Sequence, residues 1–114
     1  MDIEQIIGTK KIMEIKLSKY TLTLNFESQL NIVVCDYCYL KIGDDIISSW
    51  HYDKHPQNFG GFIYLIESQV CGAFFSENKG LRIEFEKFTL EIPKPDDDFE
   101  YLHIFSEDNG IYIF

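Results

Sequence analysis

The chain has 114 residues, 46% of them hydrophobic and 16% aromatic, a size and richness that suit one packed domain and exclude intrinsic disorder. Nineteen acidic against ten basic residues give a net charge of −9, which repels phosphate backbones and anionic lipid surfaces and so disfavours nucleic acid and membranes as partners. The charge is uneven: residues 1–66 hold 8 acids and 6 lysines, whereas residues 67–114 hold 11 acids and 4 bases, so the acidic pole is C-terminal.

Met1-Asp2-Ile3-Glu4 places acids where a secretory signal needs basic residues, and no apolar run approaches the roughly 18 to 20 residues that span a bilayer. The expectation is a cytoplasmic protein. Three cysteines, Cys35, Cys38 and Cys71, agree with a reducing compartment and buried free thiols.

In chain order, Ile12 to Leu17 precedes a clear period-two alternation, with Leu22, Leu24 and Phe26 on one face and Thr21, Thr23, Asn25 and Glu27 on the other, the mark of a half-buried strand. Leu30-Asn31-Ile32 follows. The same order returns as Val70 to Phe75, then Leu81, Ile83 and Phe85, then Leu90-Glu91-Ile92, about 59 residues further on. Each copy reads as a three-stranded meander, its first hairpin reversing at Ser18-Lys19 or at Glu77 to Gly80.

A ribbon follows each meander. Tyr37 to Ile42 turns at Gly43-Asp44-Asp45 into Ile46 to Trp50, and Glu100 to Phe105 turns at Asp108-Asn109-Gly110 into Ile111 to Phe114, the Asn-Gly pair suiting a type I′ turn. Between the halves, Phe59, Phe62, Ile63 and Ile66 sit at helical spacing within Pro56 to Gln69. The expected fold is therefore mainly β, α+β at most. A single domain, 1–114, carries a duplication over about 6–50 and 65–114, joined by a loop and one short helix at about 51–69; it forms a small sandwich or half-barrel with extra hairpins.

Cys35-x2-Cys38 followed by His51-x3-His55 has the spacing of a two-Cys, two-His zinc site. The β alternation explains the same residues without metal, as strand thiols and a polar loop, and that reading is preferred; no cofactor is expected. A thiol nucleophile would need one of the three cysteines beside His51, His55 or His103, and no local context supports the pairing. There is no phosphate-binding glycine loop, no G-x-S-x-G and no H-E-x-x-H, so no enzyme is indicated. Asp96-Asp97-Asp98 lacks the spacing of a calcium loop. With Glu100, Tyr101, Glu107 and Asp108 it forms the first candidate surface for a basic partner, and Asp44, Asp45, Trp50 and Asp53 form the second.

Leu90-Glu91-Ile92-Pro93 and the acidic Asp96 to Glu100, placed after Trp50, Phe62 to Ile66 and the L-R-I-E-F strand, resemble a family of small bacterial proteins without assigned function. In that family an L-x-[VI]-P step precedes a D-x-x-[YF]-E segment. Here His51-Tyr52 follow Trp50 where the family more often has Asp and Pro. Such proteins look like the immunity partners of polymorphic or contact-dependent bacterial toxins, and no catalytic residue carries over. The resemblance implies a non-enzymatic acidic domain that neutralises a basic toxin, such as a nuclease, by covering its active site or substrate groove; the alternative is a housekeeping or regulatory adaptor domain for another protein partner.

Overall fold

The computed structural model describes residues 2–54 and 58–114. A short helix α1 (Ile3–Ile7) leads into strands β1 (Ile12–Leu17), β2 (Leu22–Phe26), β3 (Leu30–Val34), β4 (Tyr37–Ile42) and β5 (Asp45–His51). A 3₁₀ turn (Gly60–Leu65) then leads into β6 (Val70–Ser76), β7 (Gly80–Phe85), β8 (Thr89–Pro93), β9 (Leu102–Ser106) and β10 (Gly110–Ile113).

The strands form two antiparallel five-stranded sheets, ordered β1-β2-β3-β9-β10 and β5-β4-β8-β7-β6. Alternation in the sequence becomes the two inner faces of a β-rich sandwich. Leu24, Ile32 and Ile104 align across the first sheet, and Ile83, Leu90 and Leu40 across the second, all fully buried. Each such side chain stabilises the fold by about 1.5–3 kcal/mol.

The order of the strands carries more than the sequence showed. The meander β1-β2-β3 is extended by the ribbon of the second half, β9-β10, and the meander β6-β7-β8 by the ribbon of the first half, β4-β5. The two halves exchange ribbons, so each sheet is a three-stranded meander of one half extended by the two-stranded ribbon of the other. Local irregularities repeat with the duplication: the first strand of each meander is bulged just after a buried β-branched residue, at Met13 after Ile12 and at Cys71 after Val70. The two copies meet where Ile12 N–H donates to the Ser68 carbonyl at 3.2 Å and Val70 N–H to the Lys10 carbonyl at 3.1 Å.

Three sequence expectations change in detail. Of the helix expected within Pro56 to Gln69, residues 56 and 57 lie outside the described residues, and the remainder forms the 3₁₀ turn, in which Phe62 and Leu65, three apart, are buried. Ile63 is 66% exposed and Ile66 41%, because Gly60-Gly61 disfavours an α-helix and the three-residue period turns a different face inward. The helix α1 was not expected, yet Asp2 caps it by accepting from Gln5 N–H at 2.8 Å, and Gly8 ends it at φ +55°. Finally, Asn109 does not adopt positive φ; only Gly110 does, so a three-residue loop replaces the type I′ turn.

Candidate functional site

Short links carry the chain between sheets at one end of the sandwich. Cys35-Asp36 joins β3 to β4, and residues 94–101 join β8 to β9, so both links cross at the end where β5 also runs out at His51, opposite Tyr37. Topology thus gathers Asp36, Asp53 and the Asp96 to Glu100 segment, which are far apart in sequence. Cys35, Asp36, Tyr52, Asp97, Phe99 and Glu100 line a shallow depression of about 250 Å³. Of these lining residues Phe99 is 80% exposed and Tyr52 44%.

Hydrogen bonds fix the rim. His51 Nδ1 accepts from Asp53 N–H at 3.0 Å, which leaves its Nε2 facing Asp36 Oδ1 at 3.9 Å. Tyr52 stacks on the His51 ring, 4.9 Å between centroids, and the tilted Tyr37 ring lies 6.0 Å from it. Glu100 holds His103 through a 2.9 Å contact to Nε2, and Asp97 accepts from Phe99 N–H at 3.1 Å. The Cys35 thiol is pushed above its ordinary pKa by burial first, then by Glu100 and Asp36. A thiol held protonated among carboxylates is a poor nucleophile.

The zinc set does not converge. Cys38 pairs with Trp50 on the inner face, where both are buried, while His51 pairs with Tyr37 in the next register position, whose side chains point to the opposite face. Burial drives the Cys38 thiol far up, against the thiolate that zinc requires. His55 lies outside the described residues. Among the described residues no group of three or more His, Cys, Asp or Glu is placed to hold a metal ion.

The partner candidates separate. Asp53, Asp96, Asp97, Asp98 and Glu100 share the linked end. Asp44 and Asp45 sit at the tip of the β4-β5 ribbon and Glu107 and Asp108 at the tip of β9-β10, at the far end of strands about 17 Å long. Trp50, 3% exposed, and Tyr101, 4% exposed, are core residues and offer almost no surface to a partner. The Tyr101 side chain is turned into the core, and burial followed by the charge of Glu77 raises its hydroxyl pKa. Asp36 and Tyr52, which complete the depression, carried no sequence signal, because only the sheet order brings the β3-β4 link beside residues 96–100.

Chemically this surface suits cationic side chains. Carboxylates neutralise a lysine or arginine, and an exposed aromatic ring adds a cation–π contact of about 0.5–1 kcal/mol. In comparison with known proteins, the chain matches no family model, no curated protein and no solved structure. No helix among the described residues is long and apolar enough to cross a membrane.

Proposed function

We propose that the protein is a non-enzymatic binding domain, an immunity protein that neutralises a basic cognate toxin in the cytoplasm by covering its active site or substrate groove. One observation carries this reading: Phe99 stands 80% exposed and lines one depression with the carboxylates of Asp36, Asp97 and Glu100, at an end of the fold assembled from separate loops. Exposed aromatics anchor interfaces, and surrounding like charges steer an oppositely charged partner to them. The sequence resemblance points the same way, and the −9 charge gives fast encounter with a basic protein.

The test is co-expression with the product of the adjoining reading frame. Protection from growth arrest and co-purification of a basic protein support the proposal. Replacing Asp96, Asp97 and Asp98 together with Asn should then lower the association rate several-fold at low salt and flatten its salt dependence. A neighbour that is neither basic nor toxic, or a toxic one that still kills in the presence of this chain, rejects it.

A further inference from the structure

Two sheets have four edges, and three of them are blocked. On β1, the bulge at Met13 and the bonds from Lys10 and Ile12 to residues 67–70 interrupt the edge, and Glu14 and Lys16 charge the rest. On β6, the bulge at Cys71 and α1 do the same, with the Glu4 carboxylate accepting from Phe75 N–H at 3.1 Å. On β5, Ser49 N–H donates to the Asn58 carbonyl at 2.9 Å and Asn58 Nδ2 to the Ile47 carbonyl at 3.1 Å. These are the devices by which native proteins close edges to other chains.

Among the described residues the fourth edge, β10, has none of them. Gly110-Ile111-Tyr112-Ile113 contains no charge, no proline and no bulge. Phe114 and Leu102 exchange hydrogen bonds at 2.9 and 3.4 Å, so along this antiparallel pair Tyr112 bonds to β9 while the N–H and C=O groups of Ile111 and Ile113 face outward. Their side chains, 65% and 55% exposed, share an outer face on which Phe105 lies beside Ile111 and His103 beside Ile113, with Asn31 and Val33 next in register.

We infer that β10 is an open edge that takes an added strand from an extended, basic segment of the partner protein. The inference rests on the proposed function and supplies its mode of contact. Charge selects the occupant. Glu107 and Asp108 stand at one end of β10 and Glu100 at the other, beside His103, which faces Ile113. A second copy would set −9 against −9, whereas a cationic strand gains at both ends. Main-chain bonds at Ile111 and Ile113 supply affinity, and apolar residues alternating with lysine or arginine match the Ile111 and Ile113 face.

The probe is a capped peptide of alternating lysine and valine, read by amide hydrogen exchange at single-residue resolution. Saturating peptide should slow exchange at Ile111 and Ile113 by about tenfold or more and leave Tyr112, already bonded, unchanged. Ile113→Pro removes an outward-facing N–H and is compatible with an edge strand, so it should abolish the effect while circular dichroism stays native. If that variant fails to fold, the pair Ile111→Lys and Ile113→Lys keeps the backbone donors and should repel the peptide. Exchange unchanged at millimolar peptide, equal protection by an alternating glutamate and valine peptide, or a dimer with both amides protected before any peptide is added would each overturn the inference. Failure of the co-expression test alongside peptide protection of β10 would remove the toxin reading and leave the edge. A cognate complex that leaves Ile111 and Ile113 exchanging freely would do the reverse.

Discussion

Replacing Gly80 with alanine should be the most damaging methyl addition in the molecule. Gly80 opens β7 at φ +105°, outside the left-handed helical region that other residues visit, and forcing alanine there costs roughly 1–3 kcal/mol. It also faces Pro93 across the β7-β8 pair, so a new Cβ would land on the Ile92 carbonyl oxygen and within 2.7 Å of the Lys94 nitrogen. Those are backbone atoms with no rotamer to change. The end of β8 would have to move, straining the 3.0 Å bond from Lys94 N–H to the Lys79 carbonyl, at a further cost of about 2–3 kcal/mol by analogy with overpacking and a weakened hydrogen bond. The sum, about 3–6 kcal/mol, is a large share of the roughly 5–15 kcal/mol that holds a domain folded. Gly43→Ala is the control: φ is +58° and nothing lies within 4 Å of the added methyl, so only the left-handed cost of about 1–2 kcal/mol applies. Urea denaturation of both variants reads the difference. A gap below about 1 kcal/mol would show that β8 yields freely and that the close approach does not constrain it.

Ser48, a buried polar residue, ties β5 to the 3₁₀ turn, its Oγ accepting from Gly61 N–H at 2.6 Å; Ser48→Ala strands that donor and should cost about 1–3 kcal/mol in the same assay. Native-state thiol labelling should modify exposed Cys71 first and Cys38 only on unfolding. For Cys35 the raised pKa means less thiolate at a given pH, so its labelling should climb only as pH rises above the ordinary thiol range; rapid labelling at neutral pH would refute the upward shift that burial, then Glu100 and Asp36, impose. Phe99→Ala should leave stability within about 0.5 kcal/mol while weakening partner binding. Tyr101→Ala should lose about 3–5 kcal/mol of stability, and equal losses at the two positions would contradict their placement.

Much of the fold was legible because period-two alternation is a local signal. Leu22-Leu24-Phe26 and Leu81-Ile83-Phe85 declare a buried face without knowledge of what covers it, and the bulk of the strand boundaries follow from the turns between them. Sheet order was not legible, since nothing in β3 says whether β4 or β9 will lie beside it; both are aromatic-rich ribbons of similar length. The candidate site suffered from the same gap. Asp96 to Glu100 could be read as an acidic loop, but grouping Asp44 with Asp53 assumed that the two ends of one ribbon share a surface, and the length of strand β5 separates them. Trp50 and Tyr101 were misjudged for a different reason: aromatic residues beside charged loops are as often the floor of the loop as its exposed tip, and burial is decided by the opposite sheet.

The exchanged ribbons impose an order on synthesis. Once β8 has left the ribosome, β4 has its neighbour and the sheet β5-β4-β8-β7-β6 can close, but β3 must wait for β9, because Val34 pairs with Leu102 about 70 residues later. At typical elongation rates of about 5–20 residues per second, the hydrogen-bonding edge of β3 stays unpaired for roughly 4–14 s in every nascent chain. During that interval the β9-β10 ribbon of a neighbouring chain that has not yet closed on its own β3 fits the gap as well as the chain's own. Expression at high density should therefore yield intertwined dimers that, once formed, separate only by unfolding, a failure that dilution of the purified monomer would never reveal.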